Sequence, residues 1–588
     1  MIVIAAATTG AGAPGGPGRL PAIVFVSRQP IPGAPGAIPG LGPRDRAAIT
    51  GGRLMVREPD GRLRELLPPG TFHDVSDPSV SRDARRIAFA AVTHPDSAWR
   101  IWVVGLDGRG LQQITFTDRA LDLRPLGAAA RRFERYDDLD PCWIADSALV
   151  FASTRYPQRA QYVDVPVTNL FTVVAASPAT IQRMRARPRP ADDHEPPFGA
   201  PRRITSERNG AEEPAMDWRR GRIVFARWWF NRYRAAATPA GITDGEAGAV
   251  PADSVNLWQP MELGWVLHRA RLAAGDLRTR RGSMGYQPAV LADGAIAAVY
   301  AANLGLSPRS GGTGVHVLSR TFGPALRLAG AIVAGEAGDV YASAGGLAAP
   351  SACSPAGLPD GRVLFSYSPG ARGDFGVYVT DRRGSRILPV VDLPGTLELD
   401  AVPVVAHPEP PPESIPRGDE LAVEPDPRSA YLPWFDPDRD RPALPPLAPD
   451  AVGEGRGTFR FHDLDVFRNG PLGSPARGAA RAVPGARIRF FATLARPEHA
   501  GGDTAVLIRE AVVGAHGEVN ERELPADVPM FEQLVDARGA VLMTAHGPAH
   551  VAGSNAGLAG YTSRCVGCHL GHSTLLPERA GPDAGRRR

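Results

Sequence analysis

Cys565, Cys568 and His569 stand together in the run Cys565-Val566-Gly567-Cys568-His569. Two thiols with two residues between them can each add to a vinyl group of a porphyrin. The imidazole that follows can then bind the iron from one side, so this spacing is the attachment pattern of haem c. Three other chemistries use a close cysteine pair. A structural zinc site needs further ligands, and the other two cysteines, Cys142 and Cys353, lie far upstream in separate repeats. A thioredoxin-like redox pair belongs beside a βαβ pattern, which the flanking residues do not carry. A plain disulfide between the two thiols is the third alternative. The expected cofactor is haem c, with Cys565 and Cys568 as thioether anchors and His569 as the proximal ligand of the haem iron.

The other side of the iron decides the reaction class. A six-coordinate iron transfers electrons, whereas a five-coordinate one leaves room for a substrate. Candidate distal ligands in the same part of the chain are His572, His550, His546, His516, His499, His462, Met543 and Met530. His572 follows His569 by three residues, so on a continuing helix it shares its side and cannot easily reach the opposite haem face. His546 and His550 flank Gly547-Pro548 shortly before the motif, where a loop could fold over the haem. These two are the expected candidates, and the choice between them stays open. The acidic run Asp192-Asp193-His194-Glu195 sits in a Pro-rich insertion and reads as a solvated loop rather than a metal site. No G-x-S-x-G nucleophile motif and no phosphate loop occurs.

Something must build the haem pocket, and only 19 residues follow His569. The preceding residues must do it, so an ordinary small cytochrome c fold, with its motif near the start, is not expected. The chain of 588 residues contains 66 Gly and 59 Pro, which disfavours long helices and favours short strands and turns. A repeat confirms that pattern. Asp77-Pro78, Asp140-Pro141, Glu213-Pro214, Gln287-Pro288 and Ser354-Pro355 each lead through a polar turn to an apolar strand ending at Phe89, Phe151, Phe225, Tyr300 and Phe365. The proline recurs about every 69 residues.

Hairpins accompany these strands: Leu54 to Val56 turns at Asp60-Gly61, Ile101 to Val104 at Asp107-Gly108, and Val377 to Val379 near Arg383-Gly384. Ile23 to Val26 is left to complete a sheet with strands from near Leu397 to Val405, which would hide both edges. The expected fold class is all-β: a six-bladed β-propeller over residues 19–406, after an N-terminal segment 1–18. Each repeat exceeds the length a blade needs, and the surplus falls in loops such as Tyr156 to Pro166, Thr180 to Pro201 and Arg234 to Asp253. Such loops are either binding surfaces or unstructured decoration. Residues 401–450 contain 14 prolines, so 407–457 is expected to be an extended linker. Strands near Phe459, Arg487, Val506, Met530 and Val541 then predict a smaller, β-sandwich-like domain over 458–588, ending in a haem attachment helix. Cys142 and Cys353, three repeats apart, are expected to be separately buried rather than paired.

Charge and hydropathy exclude several classes. All 66 basic residues are Arg, against 62 acidic ones, and no basic stripe interleaved with aromatics points to nucleic acid. No run of 18 apolar residues predicts a transmembrane segment. Ile2 to Ala7 is shorter than a signal-peptide core and lacks a preceding positive charge. Haem c chemistry nevertheless calls for a periplasmic or other extracytoplasmic location, with the expectation that the true start is missing.

Several separate segments carry a family resemblance. DGRVLFSYS (360–368) resembles the TolB-type, WD40-like propeller repeat. YDDLDPCWIADSALVFASTR (136–155), RITSERNGAEEPAMDWRRGRIVFARWWFNR (203–232), and LPADVPMFEQLVDARGAVL (524–542) with CVGCHLGHS (565–573) resemble the middle and C-terminal domains of hydrazine synthase alpha subunit-like proteins. That resemblance covers most of residues 20–575. It implies a six-bladed propeller followed by a domain whose c-type haem has two histidine ligands. It also implies thioethers at Cys565 and Cys568, a proximal His569 and extracytoplasmic maturation. The family's synthase subunit has an additional N-terminal domain with the catalytic haem, whereas this sequence has one C-x-x-C-H. The expected function is therefore electron transfer or service as a redox-partner subunit, with a partner protein docking on the propeller. The alternatives are a haem enzyme with an open distal site and a haem-free propeller scaffold.

Overall fold

The structure, a computed structural model, describes residues 18–34, 37–119, 123, 130–161, 165–187, 199–231, 233–236, 241–244, 256–264, 270–274, 285–301, 313–318, 351–369, 374–411, 424–425, 458–463, 465–467, 480–495, 503–526, 528–544, 547–549, 556–557 and 561–565. Nearly all regular structure among them is strand.

Six small antiparallel sheets follow one another along residues 23–403. The first holds β1 (Ile23–Arg28), β2 (Gly52–Arg57) and β3 (Leu63–Glu65), with a short α1 (Gly42–Asp45) between β1 and β2. The second is β4 (Asp74–Val80), β5 (Arg86–Val92), β6 (Arg100–Gly105) and β7 (Gln112–Gln113). The third is β8 (Asp138–Ala145), β9 (Ala148–Ser153), β10 (Asn169–Val174) and β11 (Arg202–Arg203), with α2 (Pro178–Arg185) before β11. The fourth is β12 (Ala211–Asp217), β13 (Arg222–Phe230), β16 (Asn256–Leu263) and β17 (Ala270–Leu272). It is interrupted by the hairpin β14 (Tyr233–Ala235) and β15 (Ile242–Asp244). The fifth is β18 (Tyr286–Val290), β19 (Ile296–Ala301) and β20 (Thr313–Leu318), and the sixth β21 (Ser351–Gly357), β22 (Val363–Ser368), β23 (Gly376–Thr380) and β24 (Leu388–Val391). Then β25 (Leu397–Pro403) returns to pair antiparallel with β1, making the first sheet a composite of both ends of this region.

The composition of each strand explains its place. β1 reads IVFVSR and is buried at every position, as a strand covered on both faces must be. The sharp turn after β6 depends on Gly108, whose φ is +80° and whose added Cβ would come 2.6 Å from the carbonyl oxygen of Leu66. Strands β4, β8, β12, β18, β21 and β25 touch one another in cyclic order. Apolar residues of β4, β18, β21 and β25 join one buried cluster that includes Val75, Tyr286, Ala352, Cys353 and Leu399, whereas those of β8 and β12, such as Leu139, Trp143 and Ala211, belong to a second. Cys142 and Cys353 are buried free thiols, and burial pushes the Cys142 thiol up to about 12.

The remaining strands form two further sheets. β26 (Glu424–Pro425), β27 (Thr458–Asp463), β30 (Val519–Pro525) and β34 (Tyr561–Cys565) make one, in the order β26-β34-β27-β30. β28 (Arg487–Ala495), β29 (Asp503–Val512) and β31 (Met530–Val535) make the other, and β32 (Met543–Thr544) and β33 (Gly547–Pro548) form a small hairpin. The two sheets share a core in which Phe461 meets Phe490 edge-on at 5.0 Å.

Three expectations need correction. The stretch Thr180 to Pro201 is not all loop: α2 begins at Pro178, capped by the Ser177 hydroxyl accepting from the Thr180 amide. The Arg234 to Asp253 insertion contains β15 and part of β14, and this hairpin packs against the C-terminal sheet. Tyr233 stacks on Phe531 at 6.0 Å, Phe531 on Phe491 at 5.1 Å, and the Gln533 amide donates to the Gly241 carbonyl at 2.8 Å. The haem attachment helix does not include Cys565, which is the last residue of a strand. The β-prone run Tyr561 to Ser563 is drawn into parallel pairing with β27, placing Cys565 opposite Asp463.

Candidate functional site

Two places carry chemistry. The first is the motif that begins at the end of β34. Cys565 is positioned by the parallel ladder Arg460 to Asp463 against Thr562 to Cys565. Cys568 and His569 lie outside the described residues, as do His546, His550, His499, His572 and the acidic run 192–195. Of the other distal candidates, Met530 is packed in the domain core, Met543 is 64% exposed and His516 is exposed. His462 is on β27 opposite Arg564, one register step from the Asp463–Cys565 pair. Two thiols and an imidazole in this spacing suit a covalently attached haem, and the strand ladder fixes the backbone at the first of the three residues.

The second place was not found from the sequence. In β4, β8, β12, β18 and β21 the pairing slips by one residue at the polar-proline dipeptide, and β25 slips likewise at Asp400-Ala401. The residue before each slip is left-handed: Asp77, Asp140, Glu213, Gln287, Ser354 and Asp400 have φ between 44° and 54°. Such a conformation costs a non-glycine residue about 1–3 kcal/mol. Proline follows comfortably in five cases because it has no N–H to lose from the ladder.

Hydrogen bonds between neighbouring strands offset that cost. An Asp140 carboxylate oxygen accepts from the Glu213 amide at 2.8 Å, and the Gln287 side-chain carbonyl accepts from the Ser354 amide at 2.9 Å. The Gln287 amide group donates to Glu213 at 3.3 Å, the Ser354 hydroxyl donates to Asp400 at 2.7 Å, and Asp400 also accepts from the Asp77 backbone. The six positions thus converge, and carboxyl oxygens of Asp77, Asp140 and Glu213 lie within 4.8 Å of one another.

One cation enters this cluster. Arg46, just past α1, pairs with Asp140 and with Glu212 at 2.6 Å, and donates to the Tyr286 hydroxyl at 2.7 Å. Tyr286 in turn donates to Glu212 at 2.7 Å. Burial disfavours the Arg46 charge, but Glu212, the Tyr286 oxygen and Glu213 outweigh it and hold the guanidinium firmly charged. Four carboxyls, those of Asp77, Asp140, Glu212 and Glu213, face this one guanidinium. Burial therefore pushes Asp77 up despite Arg46 and pushes Glu213 well above the carboxylate range. It takes Asp400 to about 7, with the neighbouring Asp77 charge adding to the rise.

The two sides of this cluster differ. On one, Ile38 and Leu41 from the β1–β2 connection and Ala160 and Val167 from the β9–β10 connection join the buried core. On the other a cavity of about 450 Å³ opens, walled by Pro78, Pro141, Pro214, Pro288 and Pro355. Trp218 and His407 line it and stack on each other at 5.7 Å. The recurrent polar-proline pair was the sequence signal for the ring. Arg46 had none, being a single residue in a long connection.

Comparison with known proteins bears on the fold. No protein-family model matches the chain, and no curated protein matches it. Among solved structures, hydrazine synthase from Kuenenia stuttgartiensis superposes with a TM-score of 0.62 at 18% identity, over 95% of this chain and 70% of that one. TolB from Acinetobacter baumannii, at 12% identity, has a TM-score of 0.35 over 66% of this chain and 67% of that one. The chain is therefore similar in fold to a hydrazine synthase chain, within an all-β, propeller-like architecture. Among the described residues no helix is long and apolar enough to cross a membrane.

Proposed function

We propose that this chain is a c-type haem protein that transfers electrons, or serves as the redox-partner subunit of a larger enzyme. Its six sheets are then the blades of a six-bladed propeller, on which a partner protein docks. The observation that carries the reading is C-x-x-C-H at the end of a strand in a packed two-sheet domain. The fold likeness to a hydrazine synthase chain supports it.

Cys565 and Cys568 would hold the haem through thioethers and His569 would bind the iron. When bound, the group supplies a reversible one-electron centre. The chain's own residues do the rest. The β27–β34 ladder fixes where the motif starts, and the Phe461–Phe490 core keeps water from that side of the domain. His546 or His550 would be the second histidine to hold the iron. Covalent attachment places the protein outside the cytoplasm, where haem c is matured.

Expression with a haem-maturation system and a haem stain on a denaturing gel test the reading: stain must migrate with the chain and vanish in Cys565→Ala/Cys568→Ala. Stain absent from the unaltered protein overturns it. Carbon monoxide separates the roles, because a reduced iron already held by two histidines shows little further spectral change when the gas is added. A large change in His546→Ala or His550→Ala identifies the distal ligand.

A further inference from the structure

The strand that closes the ring carries two carboxyl groups, Glu398 and Asp400, and among the described residues neither has an ion-pair partner. Glu398 is fully buried and accepts from the Ser27 hydroxyl of β1 at 3.1 Å, the Thr396 hydroxyl at 2.7 Å and the Leu393 amide at 2.9 Å. Asp400 accepts from the Ser354 hydroxyl of β21 at 2.7 Å and from the backbone of Asp77 in β4.

The charges facing these groups are mostly of the same sign. Asp392 lies near Glu398, while Asp77 and Glu213 surround Asp400, as does the buried thiol of Cys353. The cation that acts on Asp400, Arg28, is already held by Asp74 through two bonds of 3.1 and 2.7 Å. Arg46 is likewise occupied by Glu212 and Asp140.

We propose that Glu398 and Asp400 form a proton-operated latch: protonated, they seat β25 against β1, β4 and β21, and ionised, they loosen this one strand while the other sheets stay paired. Water solvates a carboxylate far better than a buried site without a cation does, so ionisation favours release of the strand. Burial raises both groups to about 7, from ordinary values of 4.5 for Glu398 and 3.8 for Asp400.

The sign follows from linkage. A carboxyl raised in the closed form binds more protons there than in the open form. Closure is therefore undiminished below about pH 4, weakens as pH rises towards about 7, and changes little above it. Asp400, Ala401 and Pro403 also wall the cavity, and the chain leaves the ring through this strand towards the C-terminal sheets. The latch thus sits in the wall of the cavity, on the last strand of the ring.

Hydrogen exchange of the full-length, haem-loaded protein at pH 5 and pH 8, corrected for intrinsic rates, tests the latch. Protection of peptides covering β1 and β25 is expected to fall roughly tenfold or more relative to peptides covering β8 to β10. In Glu398→Gln/Asp400→Asn, which keeps acceptors for the same donors, that difference disappears. The proposal is overturned if β1 and β25 track β8 to β10 in the unaltered protein, or if the double variant retains the difference. Should the variant not fold, the first comparison decides alone.

Discussion

The ring and the C-terminal sheets are both β-structure with buried aromatic cores, yet they are assembled by different rules. Within each sheet of the ring, strands pair with the next of that sheet in sequence, except where β25 meets β1 and where the β14–β15 hairpin separates β13 from its partner β16. In the C-terminal sheets, β27 is flanked by β30 and by the distant β34, which pairs with it in parallel. Local pairing lets one short pattern be copied along the chain. Distant pairing forms only once the chain has folded back on itself. The difference concerns function: the copied part holds a recurrent polar ring, and the folded-back part positions the unique motif.

The largest expected effect separates the two regions completely. Cys565→Ala/Cys568→Ala should abolish covalent haem while the exchange protection of β4 to β24 is unchanged; loss of protection in the ring would mean the regions are not independent. Next comes Arg46→Ala. Removing the guanidinium leaves Glu212 and Asp140 without their cation, at a cost of about 4 kcal/mol. Urea unfolding followed by β4 to β24 protection should show it, with β28 to β31 little affected.

A third substitution tests the seam. Phe531→Ala removes the ring that stacks on both Tyr233 and Phe491 and should cost about 3 kcal/mol. Protection should fall in the β14–β15 hairpin as well as in β31, and a loss confined to β31 would show that the hairpin is not anchored there. The smallest effect is a gain. Ala84 is left-handed at φ 58° in the turn after β4, so Ala84→Gly should raise stability by up to about 1 kcal/mol in thermal unfolding.

How much was legible differs between the regions for the same reason. The polar-proline pairs, the Asp60-Gly61 and Asp107-Gly108 turns and the spare strand Ile23 to Val26 exposed the sheets and their joining by β25, because each signal is local. The C-terminal strands near Phe459, Arg487, Val506 and Met530 could be read, but β30 and β34 could not. Val519 to Pro525 is rich in charge, and Tyr561 to Cys565 takes its strand form from β27 alongside. The expected helix at Cys565 failed there, since neighbouring strands outweigh local preference. Nor did any local rule show that Asp77, Asp140, Glu213 and Asp400 would share one cluster, or that Arg46 would enter it.

By itself, the sequence determined the spacing of two thiols and an imidazole in the motif, the β-rich architecture and the recurrence of a polar residue at each strand slip, since all three reside in short runs of residues. The tertiary structure alone decided which carboxyls meet, which cation they surround and which side of the ring opens into a cavity. Those outcomes depend on distances between residues far apart in the chain, and on burial, which makes a carboxyl that would ionise freely in water hold its proton to about pH 7 at Glu398 and Asp400.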